Sequence, residues 1–161
     1  QFEARVCFVP EMMQAARAMK AGLEVLRPRL LGVAAKANVV VALGTVKGDM
    51  HDIGKNLVGM MLEGAGFDIM DLGVDVPVER FVAAVENDGA CIVGLSALIT
   101  TTLPAMHQTV AALNASSVRS HFKVIVGGAP VSSSYASLIG ADGFASDANG
   151  AVGLVKSLLA D

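Results

Sequence analysis

The residues best suited to chemistry are an aspartate and a histidine two positions apart, in Asp49-Met50-His51. In an extended chain, residues i and i+2 point the same way. The carboxylate can therefore accept a hydrogen bond from one imidazole nitrogen while the other nitrogen points outward. A carboxylate in this position fixes the tautomer of a metal-ligating histidine and makes it a better ligand. The alternative is a helix-capping Asp49 beside a surface histidine, and the local residues do not decide between the two.

One histidine and one aspartate are too few donors to hold a metal ion by themselves. His107 and His121 lie in other segments with no ligand spacing to His51, and neither Cys7 nor Cys91 has a nearby cysteine. If His51 is a metal ligand, the metal must arrive already held by another group, as cobalt is held by a corrin ring.

The glycines around this pair allow a test of phosphate binding. The spacing of a dinucleotide-binding loop is absent, and the nearest approach to a P-loop runs from Gly48 to Gly54 and Lys55. It has one intervening residue too many, and an asparagine follows where serine or threonine would bind magnesium. Asp49 and Asp52 would also repel a polyphosphate. A nucleotide site is therefore disfavoured.

The composition limits the classes of protein that can carry this site. The 161 residues include 12 Lys and Arg against 15 Asp and Glu, a net charge of −3, so neither a basic surface nor a nucleic-acid partner is expected. The hydrophobic fraction is 53%, but the longest apolar runs have strand length, well short of the ~20 residues that span a bilayer. With two cysteines and no signal peptide, we expect a cytoplasmic protein without a membrane partner. Because no initiator methionine is present, we expect a fragment of a longer polypeptide.

The elements that position the pair follow from the hydrophobic pattern, in which apolar β-branched runs alternate with helical periodicity. The pattern predicts strands over residues 39–43, 67–72, 91–95, 122–126 and 143–145, and helices over residues 55–62, 78–86, 104–113, 132–139 and 150–159. This βαβ repeat predicts an α/β fold with a doubly wound, five-stranded parallel sheet. Ligands of such sheets bind at the carboxyl ends of the strands, where the sequence predicts loops at residues 44–54, 73–77, 96–103, 127–130 and 146–149.

An amphipathic helix precedes the first predicted strand. Pro10 is suited to a first helical turn, and Met12, Met19 and Leu26 belong to one apolar stripe. A single helix has no core of its own, so the stripe must pack on the rest of the chain, on a partner or on further helices. Ordinary core packing is the usual role of such a methionine stripe.

The segment from Gly48 to Asn56 resembles the Asp-x-His-x-x-Gly signature of cobalamin-binding domains. These domains occur in methionine synthase, in cobalamin-dependent mutases and in the corrinoid proteins of methyl-transfer systems. Two further elements of the pattern follow on the expected loops, Ser96-Ala97-Leu98 after the third strand and Gly127-Gly128 after the fourth. The resemblance implies a Rossmann-like, flavodoxin-like cobalamin-binding domain over residues 36–161.

The first helix is similar to the last helix of the helical cap that precedes this domain in methionine synthase. The small corrinoid proteins for methanol, methylamines and aryl methyl ethers have the same cap, whereas the mutases lack it. Residues 1–35 are therefore expected to be a partial helical cap domain, which favours methyl transfer over adenosylcobalamin radical chemistry. The family cap has several helices and only one is visible here. The sequence therefore does not decide which residues would cover the upper face of the corrin.

The resemblance also implies a role for each matching residue. His51 would be the lower axial ligand of cobalt in place of dimethylbenzimidazole, and Asp49 would bind the distal ring nitrogen. Ser96 would close this network or contact the displaced nucleotide tail. The residues that would line the channel for that tail are Gly54, Leu98, Thr100, Gly127, Gly128 and Ala145. The implied cofactor-binding residues are Asp49, Met50, His51, Asp52, Ile53, Gly54, Ser96, Leu98, Thr100, Gly127, Gly128 and Ala145, with His51 as the metal ligand. Gly127 and Gly128 can also be read as a plain strand-to-helix turn.

The implied function is that of a methyl carrier and not of a stand-alone enzyme. Its cofactor would be cobalamin or a related corrinoid, methylated in one state. His51 and Asp49 would take up a proton when the ligand leaves cobalt(I) and lose it on methylation. A substrate-specific methyltransferase would load the methyl group, and an acceptor methyltransferase would pass it to tetrahydrofolate, another pterin or a thiol. A reductive activase is a further candidate partner.

Two other functions stay open from the sequence. The first is the cobalamin domain of an adenosylcobalamin mutase or of a cobalamin-dependent regulator, although no DNA-binding segment is seen. The second is a flavodoxin-like or receiver-like module without a corrinoid. Receiver chemistry needs an acidic cluster and a later lysine, whereas the fourth predicted strand ends in Gly127-Gly128. A flavin site is expected to use aromatic stacking, and only 4% of the residues are aromatic.

Overall fold

The computed structural model describes residues 39–160, together with five helical, exposed residues at positions 11, 14, 15, 18 and 21. The chain divides into two compact units, Gln1–Asn38 and Val39–Asp161. The predicted methionine stripe lies outside the described residues, as does most of the predicted partial cap, so the cap domain at residues 1–35 stays a prediction. Among the described residues, no helix combines the length and apolar character needed to cross a membrane.

The second unit is built on five parallel strands in the order β2-β1-β3-β4-β5. They are β1 (Val40–Val46), β2 (Asp68–Val76), β3 (Ile92–Ser96), β4 (Lys123–Gly127) and β5 (Gly143–Ala145). The chain first adds a strand on one side of β1 and then continues on the other side. The topological switch point therefore lies between the carboxyl ends of β1 and β3, where open sheets of this type bind their ligands.

Within residues 39–160, each strand is followed by an α-helix. The helices are α1 (Ile53–Gly64), α2 (Val78–Glu86), α3 (Leu103–Asn114), α4 (Ser133–Ile139) and α5 (Ala148–Leu158). Residues of α1 and α5 pack on one face of the sheet, and residues of α2, α3 and α4 pack on the other. The predicted α/β fold with a doubly wound sheet is confirmed.

Strand β1 shows why the sequence is so apolar. Val41 and Leu43 join the core under α1 and α5, while Ala42 and Val46 join the core under the other three helices. Because successive residues point to opposite faces and both faces are covered, the strand is apolar at nearly every position. A sheet buried on both faces accounts for much of the high hydrophobic fraction.

Strand β2 differs from the prediction, which ends it at residue 72 and places a turn at residues 73–77. The strand continues to Val76, pairing Gly44 with Gly73 and Val46 with Val76. The register shifts on both sides of Gly44, and Gly73 adopts a positive φ of 89°. Gly73 therefore marks an irregularity inside a strand, where the sequence alone indicates a turn.

Candidate functional site

Asp49 and His51 lie on the loop between β1 and α1, at the carboxyl end of the sheet. Nδ1 of His51 lies 2.6 Å from Oδ1 of Asp49, and the same oxygen accepts the backbone N–H of His51 at 3.1 Å. The second bond closes an Asx turn, so a turn and not an extended chain brings the two side chains together. The Asp49 side chain is fully buried, whereas 51% of the His51 side chain is exposed. Within residues 39–160, Nε2 of His51 has no hydrogen-bond partner.

The other oxygen of Asp49 is held from the loop after β3. Oδ2 accepts the backbone N–H of Leu98 at 2.7 Å and lies 3.0 Å from the hydroxyl of Thr102. Burial raises the pKa of Asp49, but the hydrogen bonds from Leu98, His51 and Thr102 outweigh it, so this pKa lies well below its usual range. An ionised carboxylate can only accept, so Nδ1 of His51 must donate to it, and in the neutral imidazole the lone pair is then on Nε2.

The backbone of His51 is anchored on its other side by strand β1. The hydroxyl of Thr45, which is fully buried, donates to the carbonyl oxygen of His51 at 2.8 Å. The N–H and the C=O of His51 are therefore both bonded to side chains at the end of β1. This arrangement holds the imidazole in place although its ring is half exposed.

Apolar side chains next to this pair are unusually exposed. The exposed fractions are 68% for Met50, 84% for Ile53, 44% for Leu98 and 40% for Ile99. Met50 belongs to the loop of Asp49, Ile53 begins α1, and Leu98 and Ile99 belong to the loop after β3. Asp52 lies exposed between Met50 and Ile53 as the N-cap residue of α1. Exposed apolar patches of this kind mark binding surfaces. A free imidazole nitrogen next to such a patch suits a large, flat ligand that brings its own metal.

A cleft of about 260 Å³ opens between α1, α5 and the ends of the last three strands. Most of its lining is aliphatic or glycine, including Leu43, Val58, Ile125 and Ala151. Four residues that the resemblance assigned to the tail channel line this cleft, namely Gly54, Gly127, Gly128 and Ala145, and Ser96 lines it too. Leu98 and Thr100 lie outside the lining: the backbone N–H of Leu98 bonds Asp49, and Thr100 is exposed at the start of a short 3₁₀ turn.

The glycines that line the cleft differ in whether the fold itself requires a glycine at their positions. A Cβ on Gly128 would lie 1.8 Å from the carbonyl oxygen of Ala97, at a φ of +123°, and a Cβ on Gly127 would lie 3.0 Å from that of Ala145. The strand-to-helix turn therefore requires Gly128 whether or not a ligand binds. Within residues 39–160, a Cβ built on Gly54 would have no atom within 4 Å other than those of its chain neighbours and its own helix backbone. The space beside Gly54 is open to a ligand, which fits a corrinoid tail entering between the helices.

Comparison with known proteins gives the family of this chain. The family described as the B12 binding domain matches residues 39–153. The chain is also 44% identical over 160 residues to Dimethylamine corrinoid protein 1 of Methanosarcina acetivorans, covering 99% of this chain and 75% of that protein. The chain belongs to the B12-binding family.

Two solved structures of the B12-binding type resemble the chain over almost its whole length. A cobalamin-binding protein from Desulfitobacterium hafniense has a TM-score of 0.78 at 38% identity, covering 97% of this chain and 73% of that one. A chain of the methanol:cobalamin methyltransferase complex from Methanosarcina barkeri has a TM-score of 0.87 at 30% identity, covering 99% and 60%. The mutase, regulator and receiver-like alternatives are not favoured by these relatives.

Membership of the B12-binding family agrees with the few metal-ligating side chains at the site. Among the described residues, no three His, Cys, Asp or Glu side chains are placed to hold a metal ion together. A corrinoid brings cobalt with its ring nitrogens, so the protein has to supply only one axial donor, and Nε2 of His51 is available for this. The exposed apolar patch suits the corrin face, and the cleft beside Gly54 suits the tail.

Sequence reasoning missed Thr102, the hydroxyl that contacts Asp49. It offered Ser96 for that role or for a tail contact, and the structure places Ser96 in the cleft lining. Thr102 is the last of three consecutive threonines, so neither its type nor its spacing distinguished it from Thr100. Thr45 was also missed, because it lies inside an otherwise apolar strand.

Proposed function

We propose that this chain is the methyl carrier of a corrinoid-dependent methyltransferase system, with His51 as the lower axial ligand. The observation that supports this most is the half-exposed imidazole of His51, whose Nδ1 lies 2.6 Å from the buried Asp49 and whose Nε2 has no hydrogen-bond partner within residues 39–160. Relatives named as dimethylamine corrinoid proteins support methyl transfer. The likeness to a chain of a methanol:cobalamin methyltransferase complex supports work with a methyltransferase partner.

A bound corrinoid would supply a cobalt ion that can accept and release a methyl group. His51 would hold that ion through the lone pair of Nε2, and Asp49 would keep the ring proton on Nδ1. Leu98 and Thr102 stabilise the carboxylate in its ionised form through their hydrogen bonds. The exposed side chains of Met50 and Ile53 would pack against the corrin and would limit the access of water.

The cleft would receive the nucleotide tail of the corrinoid. Its aliphatic walls suit an aromatic base, and Ser96 and Ser146 in its lining would be available to the sugar and phosphate of the tail. Lys55 also lines the cleft, but its Nζ already lies 2.6 Å from Asp71 and 2.7 Å from Asn56. Of the implied cofactor-binding residues, the cleft lining includes Gly54, Ser96, Gly127, Gly128 and Ala145.

The partners are a substrate-specific methyltransferase, an acceptor methyltransferase that uses tetrahydrofolate, another pterin or a thiol, and a reductive activase. A methylamine-specific enzyme is the first donor enzyme to test, since relatives at 44% and 45% identity are named for dimethylamine. The carrier binds its corrinoid and docks on these enzymes, and the activation of the methyl donor belongs to them.

The test mixes the apoprotein with hydroxocobalamin, removes free cofactor on a desalting column and records the visible spectrum. We expect stoichiometric corrinoid with the spectrum of histidine ligation. His51→Ala should bind less corrinoid and lose that spectrum, whereas His121→Ala, which changes an exposed histidine in another loop, should behave like the unmodified protein. Absence of bound corrinoid would refute the proposed function, and an unchanged spectrum in His51→Ala would refute the axial role.

A further inference from the structure

Asp75, at the end of the edge strand β2, has the one positive φ among the described residues other than glycine, at 52°. Side chains other than glycine rarely adopt this conformation, and asparagine and aspartate tolerate it best. Such a conformation persists only where the surrounding contacts enforce it, and these positions concentrate at functional sites. Asp75 does not contact His51 and was not among the residues that the sequence assigned to the site.

Asp75 contacts the three residues that precede Met50 and His51. One carboxylate oxygen accepts the backbone N–H of Gly48 at 2.8 Å, and the other lies 2.9 Å from Nζ of Lys47. Its own backbone N–H donates to the carbonyl oxygen of Asp49 at 2.9 Å. Strand β2 therefore holds the loop of Asp49 and His51 through the N–H of Gly48, the carbonyl oxygen of Asp49 and the side chain of Lys47.

Although Asp75 makes three such contacts, together they contribute little to the free energy of unfolding. The side chains of Lys47 and Asp75 are 59% and 40% exposed, and ion pairs with that exposure contribute little. The positive φ of Asp75 offsets part of what the hydrogen bonds contribute. The contacts do define where the peptide between Lys47 and Asp49 lies, and that peptide leads directly into the Asx turn of His51.

We infer that Asp75 is a positioning residue for the proposed axial ligand. Its carboxylate and its N–H hold residues 47–49 so that Nε2 of His51 lies where it could bond to cobalt. This inference rests on the proposed function. A metal–nitrogen bond tolerates displacements of only about 0.2 Å, so a loop that moves more than this weakens ligation even when Asp49 and His51 stay paired. Asp75 thus acts on the metal bond through the backbone and not through the imidazole.

Three substitutions separate the parts of this arrangement. Asp75→Gly removes both carboxylate contacts and relieves the positive φ, so the fold itself is not penalised by strain. Asp75→Asn keeps an acceptor for Gly48 and loses the ion pair, and Lys47→Met loses the ion pair alone. Asp88→Asn is the control, because the pair of Asp88 with Arg80 has comparable exposures of 37% and 40% and lies at the opposite end of the sheet.

The probe is aquocobinamide, which lacks the nucleotide base, so that His51 is the nitrogen donor from this site. After reduction to cobalt(II), the EPR spectrum reports the fraction of cobalt bound to one nitrogen. We expect that the equilibrium for His51 ligation falls roughly 3- to 10-fold in Asp75→Gly, less than the 10- to 100-fold effect of a direct partner of a ligand. Asp75→Asn and Lys47→Met should stay within about 2-fold of the unmodified protein, as should Asp88→Asn.

Amide hydrogen exchange in the apoprotein gives a second measurement that needs no cofactor. The N–H groups of Gly48 and His51 should exchange faster in Asp75→Gly, at an unchanged melting temperature, and should keep their normal rates in Asp88→Asn. Unchanged exchange and unchanged EPR spectra in Asp75→Gly would overturn the inference, as would a loss of ligation that appears only together with unfolding. If no corrinoid binds to the unmodified protein, the proposed function fails and the exchange rates alone decide the role of Asp75.

Discussion

Replacing Thr102 with valine tests whether its hydroxyl stabilises the hydrogen-bonded pair of Asp49 and His51. Valine keeps the shape of the side chain, which is 6% exposed, and removes only the hydroxyl. That hydroxyl lies 3.0 Å from Oδ2 of Asp49 and 2.8 Å from the carbonyl oxygen of Ile99, and its single proton can go to one of them at a time. Because Asp49 is a buried anion, the bond to its carboxylate is the stronger of the two.

The expected magnitude follows from the number of donors to Asp49. A hydrogen bond to a charged group contributes about 1.5–3 kcal/mol, but here three other donors remain, the N–H groups of Leu98 and His51 and Nδ1 of His51. We therefore expect a loss near the lower end, about 1–2 kcal/mol of unfolding free energy in the apoprotein. Fewer donors also raise the pKa of Asp49, and the weaker support of the imidazole should lower corrinoid affinity roughly 10-fold.

Urea unfolding of the apoprotein measures the stability, and titration with hydroxocobalamin measures the affinity. Thr109→Val is the matched control, because Thr109 is fully buried and its hydroxyl bonds the carbonyl oxygen of Ala105 within α3, away from Asp49. It should leave the affinity unchanged. Equal affinity in Thr102→Val and the unmodified protein would refute the reasoning, and an equal loss in both variants would point to packing and not to Asp49.

Other substitutions test the remaining parts of the structure. Gly54→Ala should keep or slightly raise the urea midpoint of the apoprotein, because alanine favours the helix, and should weaken hydroxocobalamin binding about tenfold or more, since its added methyl group enters the open space beside α1. Gly128→Ala should instead lower the melting temperature in circular dichroism, because its Cβ would lie 1.8 Å from a backbone oxygen. Phe81→Ala should cost about 3–5 kcal/mol in urea unfolding, since Phe81 is fully buried in the core. The pKa of Asp49 is lowered from 3.8, so its charge stabilises the fold above that pH; the stability difference between the unmodified protein and Asp49→Asn should therefore shrink as the pH falls below 3.8.

The strands and helices could be predicted because their patterns are local. Strand β1 is covered on both faces, and its continuous apolar run records this directly. The end of strand β2 could not be predicted, because Gly73 and Pro77 read as turn residues. Strand β2 continues past Gly73 because β1 pairs with it through a shifted register, and that pairing depends on residues far apart in the chain. Local signals therefore found each element but not the points where β1 and β2 end, since β1 continues to Val46 and not only to residue 43.

The candidate site likewise combines residues that a local pattern predicts with residues that only the fold brings together. Asp49 and His51 are two residues apart, so their spacing already predicted a pair, although the turn that joins them was not foreseen. Leu98 and Thr102 lie 49 and 53 residues after Asp49, and the fold alone brings them to its carboxylate. A backbone N–H has no sequence signature, and a hydroxyl within three consecutive threonines has a weak one. Both were therefore beyond reach of the sequence.

Asp49 is the residue at which the fold and the chemistry meet. Its side chain accepts from its own loop and from the loop after β3, while its carbonyl oxygen accepts the N–H of Asp75 at the end of β2. The ends of three neighbouring strands thus converge on one buried aspartate at the switch point. A histidine two positions away would be an ordinary surface residue in another fold. Here its imidazole is held in the position that the proposed cobalt ligation needs, because the sheet topology supplies the anion beside it, the donors that keep that anion ionised and the strand that holds its backbone.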